Sequence, residues 1–132
     1  MVARVLIVDD HAGFRSVARR LLQHGAFLVV GEASDGASCE AAVRRLRPDI
    51  VLLDVQLPDG DGCDLCRVMT AEADAPRVVL ISSRDAADYG VRITGCGAAG
   101  FLAKADLSVP ALDALLGRGG STEAGRGPRP SG

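Results

Sequence analysis

The chain has 132 residues, of which 48% are hydrophobic and 24% are charged, a composition typical of one globular domain with an apolar core. Its net charge of −2 at pH 7 provides no basic excess for a phosphate backbone, so direct binding of nucleic acid by this chain is disfavoured. No run reaches the roughly 20 apolar residues of a membrane span, and the N-terminus MVARVLIVDD lacks the long apolar region of a signal peptide, so we expect a cytoplasmic protein that does not contact a membrane.

Five short runs rich in aliphatic and β-branched residues predict five β-strands. In chain order they cover residues 2–9, 27–33, 49–54, 77–82 and 100–104. Two of them contain the continuous apolar runs IVLL and VVLI, which are typical of strands covered by helices on both faces.

Helical patterns occupy the intervals between these strands. They run from about Gly13 to His24, Ala37 to Leu46, Cys63 to Ala71, Ala86 to Cys96 and Val109 to Leu116. The first pattern is an amphipathic helix with Phe14, Val17, Ala18, Leu21 and Leu22 on one face. The fourth is weakened by two glycines, and the last follows Ser108, a favoured helix N-cap.

Strands that alternate with single helices form parallel βαβ units. For residues 1–117 we therefore predict a doubly wound α/β fold, in which a five-stranded parallel sheet is flanked by five helices. Residues 118–132, RGGSTEAGRGPRPSG, are too rich in glycine, proline and arginine to bury much surface, which predicts a disordered tail or the remnant of a linker.

The four cysteines lie in or beside apolar segments, and in a reducing compartment we expect them to be buried or half-buried free thiols. Cys63 and Cys66 form a lone C-x-x-C at a helix start, for which packing is favoured over a redox or metal role. GCGAAG at 95–100 precedes a strand instead of following one, which argues against a dinucleotide site.

Polar side chains stand at the ends of four of the five predicted strands. They are Asp9 and Asp10, Asp54, Ser82 and Ser83, and Lys104. In an open α/β sheet the ligand crevice lies at the carboxyl ends of the strands, so we expect these side chains to meet at one edge, with His11 able to line the same site.

Carboxylates packed this closely repel one another unless a cation lies between them, and oxygen ligands with room for water suit Mg²⁺. With the charge balanced in this way, one carboxylate can act as a nucleophile toward phosphorus. A metal and a lysine can then neutralise the oxygens of the phosphoryl group. The chemistry indicates an aspartate that accepts a phosphoryl group.

The residues at these strand ends also carry a family resemblance. Asp9 and Asp10, LLDVQLPDGDG around Asp54, Ser82 at the end of RVVLIS, and Lys104 within GAAGFLAKADL together resemble the receiver domain of bacterial two-component response regulators. The match covers about residues 3–117. It implies a flavodoxin-like receiver fold and a sensor histidine kinase as the phosphoryl donor.

The resemblance implies a role for each residue of the metal site. Asp54 is the phosphoacceptor and a Mg²⁺ ligand, Asp10 is a second direct ligand, and Asp9 acts through water. The backbone carbonyl of Gln56 supplies a further contact to the metal.

For the phosphoryl group, the resemblance implies that Lys104 pairs with its oxygens and that Ser82 donates a hydrogen bond to them. Phe101 takes the position of the aromatic switch residue, without a hydroxyl. Ala105 follows Lys104 where proline is common, which leaves the conformation of this loop open.

The phrases VDDHAGFR, VGEASDGAS and GAAGFLAKAD are most similar to the NarL/LuxR-type subfamily, whose receivers usually precede a helix-turn-helix. This implies control of transcription through an output domain absent from this chain. It also implies a homodimer through the face of the fourth helix, fifth strand and fifth helix, where Tyr89 is predicted at the surface.

Two alternatives stay open at this point. The chain can be a stand-alone receiver or a pseudo-receiver that acts as a protein-interaction module. It can also be a Mg²⁺-dependent aspartyl phosphatase, although such enzymes usually carry a second aspartate two residues after the nucleophile. Gln56 occupies that place and cannot transfer the proton, so we expect a switch and not an enzyme with turnover.

Overall fold

The structure is a computed structural model that describes residues 2–83 and 95–117. The main sheet contains β1 (Ala3–Val8), β2 (Phe27–Ala33), β3 (Ile50–Asp54), β4 (Arg77–Ser82) and β5 (Gly100–Ala103). The α-helices of the described residues are α1 (Ala12–Leu22), α2 (Gly36–Leu46), α3 (Gly62–Thr70) and α4 (Val109–Leu116). Every predicted strand, and every predicted helix within these ranges, is confirmed to within two residues at each end.

Helix α4 corresponds to the fifth predicted helix. The fourth predicted helix, from Ala86 to Cys96, falls largely outside the described residues, and Tyr89 and residues 118–132 lie outside them as well. No helix of the described ranges is both long and apolar enough to cross a membrane.

The five strands are all parallel and lie in the order β2-β1-β3-β4-β5. The strand order reverses between β1 and β3, and a reversal of this kind opens a crevice at the carboxyl ends of the strands. The register places Val8 beside Leu53 and Asp54 beside Ile81. The residues that follow β1 and end β3 therefore reach the same edge, as predicted.

An apolar layer covers each face of the sheet, because alternate side chains of a strand point to opposite faces. Leu6, Val8, Val51 and Leu53 pack with buried residues of α2 and α3. Val5, Ile7, Ile50 and Leu52 pack with buried residues of α1 and α4. Complete burial of each of these side chains contributes about 1.5–3 kcal/mol, so the core makes the sheet a firm support for its edge.

The prediction for α1 is wrong in one detail. Ala18 and Leu22 are buried, but Val17 is 44% exposed. Consecutive helical residues are about 100° apart, and the sheet covers only a narrow stripe of this helix. Val17 lies outside that stripe.

Side-chain caps begin three of the helices. Asp35 accepts a hydrogen bond from the Ser38 amide at α2, Asp61 caps α3, and Ser108 caps α4 as predicted. Gly117 ends α4 with φ of 70°, a left-handed conformation that glycine adopts without steric cost. These caps satisfy backbone groups that the helices themselves cannot pair.

Candidate functional site

Three carboxylates, here called the acid cluster, meet at the carboxyl edge of the sheet: Asp9, Asp10 and Asp54. Asp9 is fully buried and Asp54 is 4% exposed, whereas the Asp10 side chain is 36% exposed. Ligand atoms of the three, together with a ring nitrogen of His11, all lie within 4.8 Å of one another. The structure therefore brings together the acidic residues that the sequence placed at the ends of β1 and β3.

Asp9 is held by contacts on both of its carboxylate oxygens. Its Oδ1 accepts a hydrogen bond from the His11 amide at 2.8 Å. Its Oδ2 is buried and accepts no hydrogen bond of good geometry from the described residues, and the ammonium of Lys104 lies 2.5 Å away as its ion-pair partner. The charge of Asp9 is thus balanced mainly by Lys104.

Asp54, at the end of β3, has a weaker set of contacts. Its Oδ1 accepts a hydrogen bond from the Gln56 amide at 3.1 Å, and its Oδ2 lies 3.4 Å from Lys104 Nζ. Burial raises the pKa of Asp54, and the negative charge of Asp9 raises it further, while the Gln56 amide and Lys104 oppose the shift only in part. A further cation beside Asp54 would therefore favour its ionised form.

Lys104 is the only lysine of the chain, and it opens a single 3-10 turn directly after β5. Its ammonium lies 4.8 Å from the centroid of the Phe14 ring, a cation-π contact that adds to the two ion pairs. Burial lowers the pKa of Lys104, but the contacts with Asp9 and Asp54 outweigh it, so the net shift is upward. The Lys104 to Ala105 peptide bond is trans.

Ser82 and Phe101 lie on the two strands beside the acid cluster. Ser82 ends β4, is 2% exposed, and pairs in register with Ala103, the residue before Lys104. Phe101 lies within β5 and is partly buried against the apolar layer on the α2 and α3 side of the sheet. Ser82 therefore lies beside the residue that precedes Lys104, and Phe101 lies three residues before Lys104 in the chain.

The loop from Asp54 to α3 is tightly packed. Residues 56–57 pair with residues 60–61 in a short antiparallel ladder, a structure that the turn-rich sequence did not predict. The Gly62 amide donates to the Val55 carbonyl at 2.6 Å. A Cβ atom at Gly62 would lie 2.1 Å from the Asp54 carbonyl oxygen, so only glycine fits where α3 begins beside the acid cluster.

Two further residues near the site were not identified from the sequence. Arg15 on α1 donates to the Asp9 carbonyl at 2.5 Å and to Glu32 at 2.9 Å. Asp59 accepts hydrogen bonds from the Gly36 and Ala37 amides, at 2.8 and 3.1 Å, at the start of α2. An arginine on an amphipathic helix and an aspartate in a turn are common on protein surfaces, and no local signal distinguishes these two.

The arrangement suits a hard divalent cation. Three carboxylates lie together, one buried carboxylate oxygen accepts no hydrogen bond of good geometry, and the nearby lysine supplies one positive charge. Oxygen ligands of this kind, with one exposed member beside solvent, match the preference of Mg²⁺ for carboxylates and retained water. The acidic pocket could therefore bind a metal ion.

The chain matches one protein family over most of its length. The family model described as "Response regulator receiver domain" matches residues 5–112. A solved structure of the signal receiver domain of NarL from Mycobacterium tuberculosis superposes with a TM-score of 0.76 at 36% identity, covering 89% of this chain and 98% of that one. A LuxR-family two-component response regulator from Aurantimonas superposes with a TM-score of 0.77 at 28% identity, covering 89% of this chain and 88% of the other.

Curated relatives include two longer proteins of Mycobacterium tuberculosis. NarL is 37% identical over 114 residues, which are 86% of this chain and 53% of NarL. The DNA-binding response regulator MtrA is 41% identical over 90 residues, which are 67% of this chain and 38% of MtrA. The chain thus spans about half or less of the length of these relatives.

Proposed function

Because this chain belongs to the response regulator receiver domain family, we propose that it is a switch controlled by phosphorylation of Asp54. The observation that carries the proposal is the position of the Lys104 ammonium, 2.5 Å from Asp9 and 3.4 Å from Asp54. A lysine and a group of carboxylates at the ends of parallel strands can hold a phosphoryl group between opposite charges.

The proposed step is transfer of a phosphoryl group from a phosphohistidine of a sensor histidine kinase. A carboxylate oxygen of Asp54 attacks phosphorus, and the bond from phosphorus to the donor imidazole nitrogen breaks. The nitrogen leaves with the electron pair and takes up a proton, and an acyl phosphate remains on Asp54. Asp54 must be deprotonated for this step, because the ionised carboxylate is the nucleophile.

Mg²⁺, when bound, would neutralise the negative oxygens of the transferring group. Asp10 and Asp54 would hold the ion directly, Asp9 would act through water, and the Gln56 carbonyl would be a further ligand. This assignment agrees with the exposure of Asp10 and the burial of Asp9. The pKa of Asp54 is raised, and an added cation would favour its ionised form.

The lysine and the neighbouring strands are proposed to sense the new charge. Lys104 turns from Asp9 toward the phosphoryl oxygens, and Ser82 donates a hydrogen bond to them. Phe101, three residues before Lys104 on the same strand, then changes its packing. The output is a changed binding surface and not turnover of a substrate.

The proposal also includes the domain organisation of the chain and its partners. We propose residues 1–117 as the receiver domain and residues 118–132 as a tail or the remnant of a linker, and the partial coverage of NarL and MtrA favours an output domain outside this sequence. Phosphorylation would promote a homodimer through the face formed by β5, α4 and the predicted helix at 86–96. The protein would act in the cytoplasm on transcription, without direct binding of DNA by this chain.

Intact-protein mass spectrometry after incubation with phosphoramidate tests the proposal. We expect one added phosphoryl group that requires Mg²⁺ and is absent from Asp54→Ala. Addition that persists in Asp54→Ala would contradict the assignment. Steady release of phosphate from small phosphate esters would support a phosphatase in its place.

A further inference from the structure

The imidazole of His11 lies at the solvent-exposed rim of the acid cluster, where 70% of its side chain is exposed. Its Nδ1 is 3.1 Å from Asp9 Oδ1 and 3.1 Å from Asp10 Oδ1. The backbone of His11 is fixed as well, since its amide donates to Asp9 Oδ1 at 2.8 Å and the residue is the N-cap of α1. The ring therefore reaches the two carboxylates from a backbone position that is already anchored.

The distance from His11 Nδ1 to Asp10 Oδ1 matches the spacing of neighbouring ligands around one octahedral ion. Ligands at about 2.1 Å from an octahedral metal lie about 3.0 Å from each adjacent ligand. The Nδ1 of His11 has about this separation from Asp10 Oδ1, which is proposed above as a direct ligand. The same three residues and Asp54 keep their ligand atoms within 4.8 Å.

A second observation points to a cation in this pocket. Asp9 Oδ2 is buried, and its ion-pair partner among the described residues is the Lys104 ammonium. Lys104 is the one ammonium beside three carboxylates. One ammonium cannot balance three carboxylates, and buried charges are ordinarily paired or bound to a metal, so the pocket is short of positive charge.

We propose that His11 Nδ1 is an additional metal ligand, which gives this pocket a stronger preference for first-row transition metals than carboxylates alone would provide. Mg²⁺ prefers oxygen ligands, whereas Mn²⁺, Co²⁺ and Ni²⁺ bind imidazole well and follow the Irving–Williams order. This inference rests on the proposed function in one respect, because both concern the same metal pocket. Metal binding is measured on the unphosphorylated protein, so either claim can fail while the other stands.

Electron spin-echo spectroscopy of the full chain with Mn²⁺ tests the ligand directly. The chain has two histidines, His11 and His24, and His24 is exposed after the end of α1. We expect ¹⁴N coupling of a directly bound imidazole in the wild type and in His24→Gln. We expect its loss in His11→Gln. Absence of the coupling in the wild type, or its persistence in His11→Gln, would overturn the proposal.

Calorimetric titrations with Ni²⁺ and Mg²⁺ test the preference. Loss of an outer-shell partner already lowers metal affinity by about 10–100-fold, so the ratio of Ni²⁺ to Mg²⁺ affinity should fall at least about tenfold in His11→Gln. The ratio should stay at the wild-type value in His24→Gln. Equal loss of both affinities in His11→Gln would show that the histidine only positions Asp9, which contradicts a direct ligand.

Discussion

The ammonium of Lys104 lies 2.5 Å from Asp9 Oδ2, closer than its 3.4 Å distance to Asp54 Oδ2. In this state the lysine mainly balances the charge of a buried carboxylate that is not the proposed phosphoacceptor. A phosphoryl group on Asp54 would offer Lys104 a stronger partner. A move of Lys104 from Asp9 to such a group would provide a physical basis for the proposed switch.

The single lysine allows this pairing to be measured. We predict that the pKa of Lys104 lies above its ordinary value of 10.5, because the contacts with Asp9 and Asp54 outweigh the opposing effect of burial. The ion pairs therefore stabilise the fold below pH 10.5, and this contribution is lost as the pH rises through the folded pKa. Carbon-13 NMR of labelled lysine would give one titrating signal. Asp9→Asn should lower its pKa, and a signal unaffected by that change would contradict the ion pair.

We predict that Asp54→Asn stabilises the metal-free protein at pH 7. The pKa of Asp54 is raised, chiefly by burial, so its charge opposes folding above the folded pKa and the penalty disappears as the pH falls through it. Asparagine keeps an oxygen to accept the Gln56 hydrogen bond. Thermal unfolding in EDTA should give a higher Tm for the variant at pH 7 and a smaller difference in acid. A lower Tm at pH 7 would be inconsistent with this charge balance.

The tight start of α3 predicts a strong effect at Gly62. In Gly62→Ala the added Cβ would lie 2.1 Å from the Asp54 carbonyl oxygen and 2.9 Å from Val55 Cα. Both are backbone atoms, so the loop must move, at a cost of about 1–3 kcal/mol. The midpoint of urea unfolding should fall. The rate of phosphorylation by phosphoramidate should fall as well.

Gly60→Ala provides the matched control for Gly62→Ala. It lies in the same loop, and nothing lies within 4 Å of its added Cβ. We expect stability and phosphorylation close to those of the wild type. Equal damage in both variants would indicate that the loop tolerates no side chain, and that close approach to Asp54 is not the cause.

The cysteines should be inert in the native state. All four are buried thiols outside any disulfide, and burial raises the pKa of Cys39 and of Cys66 to about 12. Because the unfolded thiols ionise near 9.0, the fold should lose stability as the pH rises above that value. Ellman's reagent at pH 8 should modify the thiols only after denaturation. Fast modification of the native protein would contradict their burial.

Much of the site could be predicted because it depends on strand ends. Asp9, Asp54 and Ser82 each follow a short apolar run, and parallel strands bring such positions to one edge whatever the details of packing. The apolar periodicity likewise predicted the helices. Val17 shows the limit of this reasoning, since the width of the buried stripe depends on how α1 lies on the sheet.

The contacts that tune the site could not be predicted in the same way. Lys104 pairs more closely with Asp9 than with Asp54, and Asp59 caps a helix that begins 23 residues earlier in the chain. Arg15 reaches the Asp9 carbonyl from the next helix. Each of these contacts depends on how two separate elements pack against each other. The order of residues along the chain does not reveal that packing.

The most direct measurement is the chemical location of the phosphoryl group. The protein is treated with phosphoramidate and Mg²⁺ and reduced with borohydride, which converts an aspartyl phosphate to homoserine, and is then digested for peptide mass spectrometry. The account predicts homoserine at residue 54 alone, and none without Mg²⁺. Homoserine at Asp9 or Asp10, or phosphate retained on another side chain, would contradict it.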